Sequence, residues 1–129
     1  MNENINNQKT ILVIEDEMAL QEAIRLKLKQ DKSINVVVAN SGEEAFVLVK
    51  EKKPDLVWLD LLMPKMSGFD FLKMVRKDKT LNDLKIVVVS ASGGPDKVAQ
   101  AKELGVLDYI VKGDGTLDLI IKRVKNFLT

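Results

Sequence analysis

Leu56-Val57-Trp58-Leu59-Asp60-Leu61-Leu62-Met63-Pro64 is the stretch that decides the fold. A short apolar run of this kind suits a strand covered on both faces, as in a parallel sheet. The run closes on a carboxylate and soon meets a proline, which places Asp60 at the carboxyl edge of the sheet. In open α/β sheets that edge is where ligands bind. Similar runs elsewhere predict strands over Thr10–Ile14, Ile34–Ala39, Leu56–Asp60, Ile86–Ser90 and Leu107–Val111. Glu15 and Asp16 close the first of them, Ser90 the fourth and Lys112 the fifth. Acids, a hydroxyl and an amine are thus delivered by separate strand ends to one rim.

The stretches between the strands read as helices. Leu20, Ala23, Ile24 and Leu28 fall on one stripe of the first. Ser41 with Glu44 three residues on has a capping-box pattern for the second. The third starts at Ser67 and carries Phe69, Leu72 and Val75. Pro95 suits the first turn of the fourth, and Gly105 a left-handed cap at its end. The fifth, from about Thr116, turns Leu117, Ile120, Ile121, Val124 and Leu128 inward. Five βα units in about 120 residues predict a doubly wound five-stranded parallel sheet with helices on both faces, because each crossover is right-handed and covers the sheet. Residues 1–9 are rich in asparagine and lack periodicity, so a flexible N-terminal tail precedes one domain over 10–129.

Composition removes many functions. The 129 residues suit one domain, with 46% hydrophobic and 30% charged residues, the balance of a soluble protein. Net charge is +1 from 20 basic and 19 acidic residues, with no basic run that would mark a nucleic-acid surface. No stretch is long enough to span a bilayer and no signal-like segment leads the chain, so a cytoplasmic location is expected. The chain has no cysteine and no histidine, which removes thiol chemistry, imidazole bases and nitrogen- or sulfur-ligated metals.

Glu15 and Asp16 could simply cap the helix that follows them, Asp60 could be a turn residue, Ser90 a helix-entry residue and Lys112 a solvated amine. Brought together, the three acids would repel one another by roughly 4 kcal/mol per pair at 4 Å and an effective dielectric near 20. Three such pairs rival the ~5–15 kcal/mol that holds a domain folded. The cluster therefore calls for cations, and oxygen-only ligands point to Mg²⁺, or Mn²⁺ in its place. Such a set suits phosphoryl transfer, with a carboxylate as the nucleophile. Asp60 is the best candidate, the adjacent acids being suited to metal. Ser90 and Lys112 are then placed to hold phosphoryl oxygens.

In order and spacing, Glu15-Asp16, the segment Asp60-Leu61-Leu62-Met63-Pro64-Lys65-Met66-Ser67-Gly68, the pair Ser90-Ala91 and the run Gly105 to Lys112 resemble the receiver domain of two-component response regulators, of the chemotaxis-regulator kind. The resemblance runs from Thr10 to Leu128. It implies the flavodoxin-like strand order 2-1-3-4-5. It implies that Asp60 takes phosphate from a sensor histidine kinase or a histidine phosphotransfer protein. Asp16, Asp60 and the backbone carbonyl of Leu62 would ligate Mg²⁺, with Glu15 acting largely through water. Ser90 would move toward the phosphoryl group, and Tyr109 would rotate inward and report that move to a protein target at the surface of the fourth helix, fifth strand and fifth helix. For packing alone, Tyr109 reads as a half-buried aromatic on an edge strand. Leu62 and Ser92 fall where the family tunes the lifetime of the phosphorylated state. The family usually has a cis proline after the lysine; here Gly113 stands there, so a trans bond is expected.

The reading is a signalling switch, not an enzyme beyond self-phosphorylation from small donors and slow autodephosphorylation. It would be a monomer or a weak phosphorylation-dependent dimer. Lys122 and Arg123 offer charges to Asp108 of a second subunit, although charged residues on an exposed helix usually mean solvation. A degenerate receiver serving only for docking is one alternative. An aspartate-nucleophile phosphatase is another, but it wants an acid two residues after the nucleophile, where Leu62 stands. A nucleotide or flavin module would want a glycine-rich loop where Glu15-Asp16-Glu17 stands.

Overall fold

The computed structural model describes residues 8–63 and 65–128. Five strands, β1 (Lys9–Ile14), β2 (Ile34–Ala39), β3 (Leu56–Leu59), β4 (Ile86–Ser90) and β5 (Asp108–Val111), form one parallel sheet in the order β2-β1-β3-β4-β5. The helices are α1 (Met18–Lys29), α2 (Gly42–Lys52), α3 (Gly68–Lys77), α4 (Pro95–Glu103) and α5 (Leu117–Lys125), with 3₁₀ turns at Lys112–Asp114 and Asn126–Leu128. This is the flavodoxin-like strand order, as expected. Residues 1–7 of the expected tail lie outside the described residues. Lys9, placed in that tail, opens β1 opposite Ile34, and the Gln8 side chain donates to the Lys32 carbonyl.

Alternation along the strands divides the core into two. Leu12, Ile14, Val57, Leu59, Ile86 and Val88 face one way, against Ala45 and Val49 of α2 and Phe71, Leu72 and Val75 of α3. Ile11, Val13, Leu56, Trp58, Val87 and Val89 face the other, against Ile24 and Leu28 of α1 and Ile120, Ile121 and Val124 of α5. A strand with alternate side chains in two cores reads as a continuous apolar run, which is why β1, β3 and β4 were legible. On α3 the fully buried aromatic is Phe71; Phe69, expected on that face, is half-buried.

Helix ends follow the local chemistry. Ser67 and Asp70 form a reciprocal capping box on α3. On α2, Ser41 accepts from the Glu44 amide, but the Glu44 carboxylate reaches one residue further back, to the Asn40 amide at 2.7 Å. Pro95 opens α4, and Gly105 takes φ +77° just past its end. Acids sit in the first turns (Glu43, Glu44, Asp70, Asp96, Asp118) and bases in the last (among them Lys29, Lys52, Lys77, Lys102 and Lys125). Lys53, at the end of α2, is left-handed at φ 47° without being glycine.

Two further strand ends differ from expectation. Asp60 lies one residue past β3 and Leu107 one residue before β5, although the Leu107 amide still donates to the Ile86 carbonyl. Arg123 pairs within its own chain: its guanidinium grips Asp108 with bonds of 2.6 and 2.7 Å. The expected pairing with a second subunit is thus already satisfied internally, because α5 crosses beside the start of β5. Lys122 is exposed. No described helix is long and apolar enough to cross a membrane.

Candidate functional site

Parallel register brings the acids together. β1 pairs with β3 through Ile14 and Leu59, so the residues that follow, Glu15 and Asp60, leave the sheet side by side. The Asp60 amide donates to the Ile14 carbonyl at 3.1 Å, and the Glu15 amide to the Ala39 carbonyl at 3.1 Å. One carboxylate oxygen each from Glu15, Asp16 and Asp60 lies within 4.8 Å of the others. Glu15 is 1% exposed and Asp60 3%, while Asp16 is half-buried.

Lys112 reaches this cluster from the turn after β5. Its Nζ is 2.8 Å from Glu15 Oε1 and 3.7 Å from Asp60 Oδ2. Burial works against the ammonium, but Glu15 and Asp60 outweigh it and hold its pKa above the ordinary value. Asp60 moves the other way for a carboxyl. Burial first, then the charge of Glu15, raise it to about 6, against the Leu62 amide, which donates to Oδ1 at 3.1 Å, and the charge of Lys112. The second oxygen of Glu15 accepts from the Glu17 amide at 3.2 Å. Among the described residues, one ammonium thus enters a cluster of three carboxylates, pairing with two of them, in a pocket rich in oxygen donors. That donor set fits a hard divalent cation.

Ser90 is completely buried at the end of β4, with its Oγ 3.3 Å from the Ser92 amide. Tyr109 already points inward. It is 8% exposed, and its hydroxyl donates to the Ser92 carbonyl, with burial pushing the phenol above its ordinary range. The Leu62 side chain is 48% exposed beside Asp60. Gly113 has open space where a Cβ would go, all described peptide bonds are trans, and Lys112 opens a 3₁₀ turn.

Two contributors were given no role by the sequence reading. Gln21 of α1 is 5% exposed, and its Nε2 donates to the Glu15 carbonyl at 2.8 Å and to Asn40 Oδ1 at 2.7 Å. The spacing Gln21, Ile24, Leu28 was the available signal: a polar residue on the most buried line of the helix. Gly68 is the other. A Cβ there would lie 2.5 Å from the Asp60 carbonyl oxygen and 2.6 Å from Leu61 Cα, so only glycine lets α3 begin against the strand end that carries the acid.

Residues 11–125 match the family model of the response regulator receiver domain. The chain belongs to this family. The receiver is 30% identical over 114 residues to the phosphate regulon transcriptional regulatory protein PhoB of Pseudomonas aeruginosa, covering 88% of this chain and 49% of that protein. It is 37% identical over 103 residues to the probable C4-dicarboxylate response regulator DctR of Bacillus subtilis, covering 79% and 45%. The receiver therefore spans about half the length of these curated relatives. Among solved structures, the non-phosphorylated HemR receiver domain from Leptospira biflexa superposes with a TM-score of 0.85 at 31% identity, covering 95% of both chains. These relatives are response regulators, signalling proteins of two-component systems.

Proposed function

We propose that this receiver accepts a phosphoryl group on Asp60 from a phosphohistidine, presented by a sensor histidine kinase or a histidine phosphotransfer protein in the cytoplasm. The observation that supports this most is the setting of Asp60: a buried carboxylate at a strand end, with two more carboxylates and one ammonium in reach. With its pKa near 6, Asp60 is ionised at neutral pH and poorly solvated, the condition of a competent oxygen nucleophile. One of its oxygens bonds to phosphorus as the phosphorus–nitrogen bond of the donor breaks, and that electron pair returns to the imidazole.

Asp16, Asp60 and the Leu62 carbonyl would hold Mg²⁺, or Mn²⁺, with Glu15 acting largely through water. A bound cation supplies positive charge against the phosphoryl oxygens. Lys112 would exchange the Glu15 oxygen for a phosphoryl oxygen, and the Ser90 hydroxyl would donate to another. Movement of Ser90 would be read by Tyr109 through Ser92, and so by a protein target on the α4–β5–α5 surface. The Arg123–Asp108 pair lies on that surface and would have to open before either charge could serve a dimer.

Acetyl phosphate with Mg²⁺ tests the proposal. Intact mass should rise by one phosphoryl group, and Asp60→Asn should abolish the gain. A folded wild-type protein that gains no mass from acetyl phosphate or from a phosphorylated kinase would refute it, and leave a docking module.

A further inference from the structure

We propose that Gln21 is a positioning residue for the acid cluster, a role that rests on the metal-site reading above. A buried amide is costly unless its hydrogens are bonded. An apolar side chain beside Ile24 and Leu28 would fill the same line of α1 without that requirement. Both Gln21 hydrogens have acceptors, on two different loops: the Glu15 carbonyl at 2.8 Å after β1, and Asn40 Oδ1 at 2.7 Å after β2. A longer contact of 3.4 Å reaches the Ala39 carbonyl.

The first of these bonds bears directly on Asp16. The Glu15 carbonyl and the Asp16 amide belong to one planar peptide unit, so a bond to that oxygen sets the direction in which Asp16 leaves the chain. Glu15 itself is held at its amide by Ala39 and at its carboxylate by Glu17 and Lys112. Among the described residues, Gln21 is the donor that holds the carbonyl of the peptide joining the two acids. The other end of the bridge is also anchored, since the Asn40 amide donates to Glu44. Beyond it, Gly42 lies against Met66, where an added Cβ would be 2.8 Å from the side chain. Gln21 thus joins the loops after β1 and β2, and Met66 carries the connection to the loop that follows Asp60.

The test is Mn²⁺ binding to the full chain, read from loss of the free-ion electron paramagnetic resonance signal, with urea midpoints measured alongside. Gln21→Met removes both donors and should weaken Mn²⁺ binding about 10-fold or more, the range for groups that orient metal ligands. Asn40→Ala, at an exposed position, leaves the Glu15 bond and should weaken binding by less. A packing role alone would lower the urea midpoint of Gln21→Met and leave its dissociation constant at the wild-type value, which overturns the proposal. If Gln21→Met does not fold, Asn40→Ala decides: unchanged binding overturns the proposal and weaker binding supports it. Failure of the wild type itself to bind Mn²⁺ would instead overturn the metal-site reading, and this role with it.

Discussion

Asp60→Asn should make the metal-free protein more stable at neutral pH, although it removes the residue proposed to carry the function. Burial and the neighbouring Glu15 raise the Asp60 carboxyl from 3.8 in a free chain to about 6 in the fold. A raised carboxyl means that the native state binds its proton more tightly than the unfolded state does, so stability falls as pH rises between the two values. Below about pH 3.8 both states are protonated and the contribution vanishes. Above about pH 6 the full difference is present, roughly 3 kcal/mol for a change of this size. Asparagine keeps the shape and can still accept from the Leu62 amide, but it carries no charge. In EDTA, urea unfolding should show the variant ahead by roughly 3 kcal/mol at pH 7–8, about half of that near pH 5, and little by pH 4. Saturating Mg²⁺ should close the gap, because binding to the native state stabilises the wild type by about 2.7 kcal/mol at 100 times its dissociation constant. A variant no more stable than wild type at pH 8, or a gap that stays constant down to pH 4, would show that Asp60 is not strained by its setting.

Other perturbations follow from particular contacts. Gly68→Ala forces a Cβ against the Asp60 carbonyl and Leu61 Cα and should cost about 1–3 kcal/mol in urea unfolding, with slower phosphorylation by acetyl phosphate. Arg76→Met removes guanidinium bonds to the carbonyls of Leu84, Asn82, Leu104 and Gly105. Losing these should cost roughly 2–4 kcal/mol and expose the Leu104 to Gly105 segment to hydrogen exchange; a change under 1 kcal/mol on the same scale would mean that water replaces the clamp. Lys53→Gly relieves a left-handed lysine at the end of α2 and should add about 0.5–1 kcal/mol, read as a higher melting temperature. Leu62→Asn puts a polar group beside Asp60 in place of an exposed apolar one and should shorten the half-life of the phosphorylated form. An unchanged half-life removes Leu62 from any role in shielding that bond.

Strand ends were legible because β1, β3 and β4 are buried on both faces, so their apolar runs stop close to where the sheet stops and the next residue is a polar one at its edge. Glu15, Asp60 and Ser90 could therefore be placed by counting. Contacts made by polar side chains across the fold were not legible in this way. Gln21 stands on the buried line of α1 in the sequence, but its partners are set only when the loops after β1 and β2 come to rest beside it. The partner of Arg123 depends on how α5 crosses β5, which hydrophobic periodicity does not report. Glu44 shows the same limit at short range. Its spacing from Ser41 predicts the cap, but the direction of the chain entering α2 brings the Asn40 amide within its reach. The inward position of Tyr109 is likewise a matter of tertiary packing, with Ser92 offering the acceptor.

Because every helix runs back against the parallel strands, the first turns, acidic in α2, α3, α4 and α5, lie toward the Asp60 end of the molecule, and the last turns with their lysines toward the opposite end. A net charge of +1 therefore conceals an electric dipole. In an external field such a molecule is pulled weakly but turned strongly, so a charged partner orients it before touching it, within the roughly 8 Å over which physiological salt leaves charges visible. A nearly neutral protein of this kind should be retained at low ionic strength by anion and cation exchangers alike, gripped by opposite ends.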